Sequence, residues 1–201
     1  MKIGNINTQE KVFIIAEIGN NHEGSYDVAE EMIVLASEVG VDAVKFQTYK
    51  TEDYVSSENK DRFNTLKSFE LSYREFEKLS KVANDLGLCF ISTPFDIKSA
   101  QFLSQITDAV KISSGDNTFF PLISEIAKIN KPIILSSGLL DLNELKDIEN
   151  YIVKIRMQDS IKESMAVLHC VSSYPVEPRF ANLKAIKTLM DELSSVIGYS
   201  D

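Results

Sequence analysis

At 201 residues, with 44% hydrophobic and 25% charged side chains, the chain has the composition of one globular domain with a sizeable core. A net charge of −9 and a pI near 4.8 argue against a nucleic-acid or anionic-membrane surface, since both need clustered cations, so any anionic ligand must be held by a few local ones. No apolar run approaches the ~20 residues that span a bilayer and no signal-peptide pattern opens the chain. Cys89 and Cys170 lie in separate apolar runs with no CxxC pair, so the expectation is a cytoplasmic protein in a reducing compartment.

The chain opens with a polar stretch, 2–11, expected to form a small hairpin. Short β-branched runs then alternate with segments of helical period, the pattern of βα units and a parallel sheet. Strands are predicted at 12–18, 43–48, 88–93, 109–113, 132–136, 166–171 and 196–199. Ser25 caps a helix that Gly40 ends, Ser72 with Glu75 forms a capping box, and Gly87 closes that second helix. Further helices are predicted near 97–106, 120–129, 142–156 and 183–193. The segment 50–71 is long, polar and charged, and reads as a functional loop. No GxGxxG or GxxxxGK[ST] follows any strand, which disfavours an open doubly wound sheet. The expected fold class is α/β, a TIM (β/α)8-type barrel truncated after strand seven.

Active sites of such barrels collect at the C-terminal ends of the strands. There the sequence places Glu17 to Gly24, Lys45 and Gln47, Ser92 to Phe95, Lys111 to Asp116, Ser136 to Gly138, His169 with Ser172 to Tyr174, and Gly198 to Asp201. Lys45 and Lys111 carry most weight, because each sits among apolar residues within a strand. A buried ammonium needs an anion, and these two with Thr93, Ser114 and Ser136 suit a multiply charged ligand. Structural ion pairs, Lys45 with Glu17 and Lys111 with Asp116, are the alternative. Glu17 and Asp116 are candidate acid/base groups. His22 reads as a substrate contact or a loop histidine, and His169 as a satisfied core histidine. Neither has a second histidine at metal-ligand spacing, and no Gly-x-Ser-x-Gly elbow marks a nucleophilic serine.

The runs Ile15-Ala16-Glu17-Ile18-Gly19-Asn20-Asn21-His22-Glu23-Gly24, Val44-Lys45-Phe46-Gln47-Thr48, Ser92-Thr93-Pro94-Phe95, Lys111-Ile112-Ser113-Ser114-Gly115-Asp116, Leu135-Ser136-Ser137-Gly138, Leu168-His169-Cys170-Val171-Ser172-Ser173-Tyr174-Pro175 and Gly198-Tyr199-Ser200-Asp201 together resemble the sialic acid (N-acetylneuraminate) synthases. That group includes the legionaminate, pseudaminate and spore-coat polysaccharide synthases. The resemblance covers the chain in order and implies condensation of phosphoenolpyruvate with an N-acylated mannosamine-like aldose. The products are a nine-carbon 3-deoxy-2-keto acid and phosphate, released by carbon–oxygen cleavage.

By the same resemblance, Lys45, Thr93, Lys111, Ser114, Ser136, Ser172 and Ser200 bind phosphoenolpyruvate, while Glu17, Gln47 and Tyr174 hold the sugar. Asp116 takes the acidic position associated with the water that adds to the enol-derived carbon, one methylene shorter than the glutamate of many members. Ser113 stands where glycine is usual, and Ser172 where some members have asparagine. A divalent metal, Mn²⁺ or Mg²⁺, is implied for the full-length enzyme, with both histidine ligands beyond Asp201 and none expected among these residues. The full-length enzyme is expected to be a homodimer. Residues 1–201 are read as an incomplete barrel synthase domain lacking strand eight and a C-terminal antifreeze-like domain, and so as a fragment expected to bind phosphoenolpyruvate rather than to turn it over. Two other functions are compatible: a 3-deoxy-heptulosonate or octulosonate 8-phosphate synthase, for which the extra sugar-phosphate cations are not evident, or a non-catalytic phosphoenolpyruvate-binding remnant.

Overall fold

The computed structural model describes residues 1–201 and resolves into two compact units, Lys2–Val110 and Lys111–Asp201, the latter with Met1. In the first unit β1 (Lys2–Ile3) and β2 (Ile6–Asn7) form the expected antiparallel hairpin. There follow β3 (Ile15–Gly19), α1 (Tyr26–Glu38), β4 (Ala43–Thr48), α2 (Thr51–Tyr54), α3 (Lys60–Phe69), α4 (Tyr73–Asp85), β5 (Cys89–Pro94), α5 (Ile97–Ile106) and the start of β6 (Ala109–Ile112). β3 pairs with β4, β4 with β5, and β5 with Ala109 and Val110 of β6, all in parallel.

The second unit takes up the end of β6 and continues through α6 (Phe120–Ala127), β7 (Ile133–Ser136), α7 (Leu142–Gln158), β8 (Met165–Cys170), a 3₁₀ turn (Pro178–Phe180), α8 (Lys184–Glu192) and β9 (Val196–Ser200). β7 pairs with β8 and β8 with β9, again in parallel. Strand and helix thus alternate as in a (β/α)8-type barrel, with the seven parallel strands β3 to β9 present. No helix is long and apolar enough to cross a membrane.

Period-two alternation decides what each strand presents. In β4, Val44 and Phe46 turn toward the helices and join a core with Ile33, Phe76, Leu79 and Phe90. Phe46 stacks on Phe90 at 5.4 Å and meets Phe76 edge-on at 6.2 Å. Each such fully buried side chain contributes about 1.5–3 kcal/mol through area removed from water. The residues between them, Lys45 and Gln47, are left to the other face. The caps fall where expected: Ser25 accepts from the Val28 N–H, and Ser72 with Glu75 closes a reciprocal capping box. In the second unit the buried Arg156 guanidinium donates to the carbonyls of Glu163 (2.6 Å), Ile129 (3.0 Å) and Lys131, tying together the segments that lead into β7 and β8.

Two expectations are corrected. The first strand begins at Ile15 rather than 12, because the Asp42 carboxylate takes the Ile14 N–H (2.8 Å) while the Ile14 carbonyl accepts from Asp42 and Ala43. Val12 is 81% exposed and belongs to the lead-in. An apolar run alone does not separate a strand from the extended chain entering it.

The segment 50–71, read as a loop, carries α2 and α3. No side chain of α3 is fully buried, so the helix shows no core-facing apolar stripe and its period is illegible in sequence. Polar contacts hold it instead. The Glu70 carboxylate accepts from the Thr51 N–H (2.9 Å), the Thr51 hydroxyl (2.7 Å), Lys50 (3.0 Å) and Lys67 (3.1 Å). Gly24, at φ 83°, lets the Ser68 carbonyl approach so closely that an added Cβ would lie 2.1 Å from it.

Burial alone would raise the Glu70 pKa, but the bonds from Thr51, Lys50 and Lys67 bring it down from 4.5 to about 2. A depressed carboxylate pKa stabilises the fold fully above the unfolded value, and that contribution is lost as the pH falls toward the folded one. Amide exchange across 51–69 is therefore expected to accelerate as the pH falls from 4.5 toward 2, after correction for intrinsic exchange. Glu70→Gln should exchange faster at neutral pH and lose most of that pH dependence. An unchanged exchange profile in the variant would exclude Glu70 as the clamp.

Candidate functional site

In the first unit the strand register lines up Glu17 with Lys45 and Gln47 with Thr93 on the face turned away from the core helices. Lys45 is buried, at 6% exposure. Its ammonium lies 2.9 Å from the Glu17 carboxylate and donates to the Thr93 hydroxyl at 3.0 Å. The ion pair considered from sequence is therefore present, but it is one-sided: the Glu17 side chain is 57% exposed while that of Lys45 is 8% exposed. Solvent screens such a pair, so its carboxylate is free to exchange partners. Gly19, at φ 57°, lies beside both Glu17 and Gln47: a Cβ there would stand 3.4 Å from Glu17 Oε1 and 3.8 Å from Gln47 Nε2.

His22 lies in the loop after β3 and is 2% exposed, so it sits inside the loop rather than on it. Its Nδ1 accepts the Gly24 N–H at 3.0 Å, and burial lowers its pKa, with Glu75 opposing.

In the second unit Lys111 is buried, at 8% exposure. Its ammonium donates to the Ser136 hydroxyl and to the Ile112 carbonyl, the latter at 3.0 Å. Ser114 Oγ lies 3.0 Å from Cys170 Sγ. Both groups crowd Gly138, where an added Cβ would stand 2.6 Å from the hydroxyls of Ser114 and Ser172 and 2.9 Å from Cys170 Sγ. Ser200 lies opposite Cys170 in the β8–β9 register, on the face that carries Ser136 and Leu168. A buried ammonium among hydroxyls at strand ends offers donors to an anion.

Asp116 takes its hydrogen bond from Ser113, at 2.5 Å. Burial raises its pKa, and the Ser113 bond opposes the rise. Tyr174 precedes Pro175 through a cis peptide and is 65% exposed, so it stands at the rim. His169 is on the opposite face of β8, where its Nε2 bonds the Ala181 carbonyl at 2.8 Å and its ring stacks on Tyr199. That is the satisfied histidine expected, and it also holds the segment following Tyr174.

The sequence reading gave no role to Cys170 or Asn117 and did not foresee that Gly138, placed at a strand end, packs against Ser114, Ser172 and Cys170. Asn117 is 2% exposed and donates to the Ser136 and Gly138 carbonyls. Its acceptors are 19 and 21 positions away, so no local pattern announces it. No group of three His, Cys, Asp or Glu side chains is arranged to hold a metal, and both histidines bond backbone groups. No donor set among these residues fits a divalent metal.

The NeuB family model matches residues 32–201. An uncharacterized protein of Methanocaldococcus jannaschii is 42% identical over 100% of this chain and 59% of its own length. The N,N'-diacetyllegionaminic acid synthase of Legionella pneumophila is 38% identical over 94% of this chain and 57% of its own. The chain therefore spans less than two thirds of the length of these relatives. Among solved structures, the N-acetylneuraminic acid (sialic acid) synthetase of Leptospira borgpetersenii, in complex with citrate, superposes with a TM-score of 0.90. It is 35% identical, and the match covers 100% of this chain and 69% of that one. With the family model spanning most of the sequence and the strand-end clusters in place, the chain belongs to the NeuB family.

Proposed function

We propose that this chain carries the phosphoenolpyruvate-binding residues of a nonulosonic acid synthase, a cytoplasmic enzyme of carbohydrate biosynthesis. The observation that carries the reading is Lys111, buried in an apolar strand with its ammonium on the Ser136 hydroxyl, in the unit where Ser114 and Ser172 flank Gly138. A buried ammonium at a strand end, with hydroxyls nearby, favours an anionic ligand. In the second unit Lys111, Ser114, Ser136, Ser172 and Ser200 are assigned to phosphoenolpyruvate. The resemblance assigns Lys45 and Thr93 of the first unit to phosphoenolpyruvate binding, and Glu17 with Gln47 to hydroxyls of an N-acylated aldose. Tyr174 is assigned to that sugar as well.

In the reaction, C3 of phosphoenolpyruvate forms a bond to the aldehyde carbon of the open-chain sugar. C2 takes up water, and its bond to the bridging oxygen breaks to release phosphate. Asp116 is assigned the proton of that water, because a carboxylate whose pKa is raised by burial is a better base than an exposed one. Lys111 and the serines hold charge on the phosphoryl and carboxylate groups while the bonds change. The complete enzyme is proposed to act as a homodimer.

Calorimetric titration with phosphoenolpyruvate tests the site. Lys111→Met should weaken binding by roughly 2–5 kcal/mol, the cost of removing one partner of a buried charge interaction. Equal affinity in the variant would reduce Lys111 to a structural role. Gly138→Ala should displace the two serine hydroxyls and lower stability by about 1–3 kcal/mol, as overpacking does. Chemical denaturation checks this, and an unchanged midpoint would mean that the cluster yields freely. For the reaction itself, incubation with phosphoenolpyruvate, N-acetylmannosamine and Mn²⁺ should release phosphate and form 2-keto acid in equal amounts. Phosphate release only with arabinose 5-phosphate or erythrose 4-phosphate would assign a different condensing synthase.

A further inference from the structure

Asn117 is a buried side chain of the second unit that bonds the backbone of the turn carrying Ser136 and Gly138 from outside that turn. Its amide nitrogen donates to the Ser136 carbonyl at 3.2 Å and to the Gly138 carbonyl at 2.9 Å, so it grips the backbone on both sides of Ser137. The gripped turn has further constraints. The Ser137 N–H and hydroxyl both donate to the Leu168 carbonyl, at 3.0 and 2.9 Å, and the Leu140 N–H closes back on the Ser137 carbonyl at 3.3 Å. Leu139 lies between them at φ 68° and is 81% exposed, a left-handed conformation that a branched side chain adopts at a cost and that no core contact repays.

A turn held against its own backbone preference needs an external restraint, and backbone carbonyls facing a buried amide provide one. What the restraint positions is the cluster already described: Ser136, which meets Lys111, and Gly138, whose Cα lies against Ser114, Ser172 and Cys170.

We propose that Asn117 is a positioning residue for the anion site, setting the β7–α7 turn so that the Ser136 hydroxyl and the hydroxyls around Gly138 are preorganised for phosphoenolpyruvate. The inference rests on the functional reading above and extends it to a residue that does not touch the ligand. Because Asn117 directly follows Asp116, the same short segment then carries both the carboxylate assigned to the reacting water and the amide that sets the phosphate side.

The test compares phosphoenolpyruvate binding, by calorimetry, in the parent chain, Asn117→Ala, Asn117→Asp and Arg156→Lys, with unfolding midpoints measured in parallel. Arg156 is an equally buried, backbone-bonding residue of the same unit at the opposite ends of its strands, so its variant reports the effect of lost stability alone. Asn117→Ala should weaken binding about tenfold, since two backbone acceptors lose their donor and the turn relaxes. Asn117→Asp, equal in size but facing both carbonyls with oxygen, should weaken it further. Arg156→Lys should lower the midpoint and leave affinity as in the parent. Should Asn117→Ala fail to fold, the Asn117→Asp comparison decides alone. Parent-like affinity in the Asn117 variants, or an equal loss in Arg156→Lys, overturns the positioning role. A parent chain that binds no phosphoenolpyruvate overturns the functional reading, and the inference with it.

Discussion

An ammonium inside an apolar parallel strand is tolerated only where oxygen atoms meet it, and Lys45 and Lys111 impose that condition on their surroundings. Around Lys45 it is met by the Glu17 carboxylate and the Thr93 hydroxyl, contributed by the two strands that flank β4. Around Lys111 it is met by the Ser136 hydroxyl and a backbone carbonyl. Because desolvating a cation costs several kcal/mol, a strand that carries one must be in register with neighbours that carry its partners. The polar face of each unit is thus a consequence of one residue per unit that cannot be left alone.

The same alternation separates chemistry from stability. Phe46 and Val44 build the core of the first unit on one face of β4, and Lys45 and Gln47 serve the other. In the second unit His169 and Tyr199 stack on one face of the β8–β9 ladder while Cys170 and Ser200 share the other. A one-residue slip in register would exchange the two sets, so the packing that stabilises each sheet also fixes where its hydroxyls point. The loops add what the strands cannot. Gly24 and Gly138 mark places where a side chain would collide with a neighbouring backbone or a functional group, and Gly19, at φ 57°, takes a left-handed turn that favours glycine.

Polar rather than apolar restraint recurs at these loops. The α2–α3 segment is anchored by Glu70 and its four donors, and the β7–α7 turn by the Asn117 amide. Restraint of this kind is directional, which suits segments that must hold a geometry, and it depends on charge state where carboxylates are involved. It also explains why both were hard to foresee. A helix without buried side chains has no hydrophobic period, and an asparagine whose acceptors are some twenty positions away looks like any other loop residue.

By itself, the sequence determined the alternation of strands and helices, the caps at Ser25 and Ser72, the two in-strand lysines and the strand-end serines that resemble the sialic acid synthases. Those features are written in local patterns: the period-two burial of strands, the side-chain geometry of helix starts, and charge set among apolar residues. Tertiary structure alone shows that Glu17 rather than a distant acid meets Lys45, that Asp116 is held by Ser113, that 51–54 and 60–69 are helical, and that Gly138, Cys170 and Asn117 pack with the serines. Each depends on groups brought together from separate strands or loops, and spatial neighbourhood of that kind leaves no period or spacing in a chain to read.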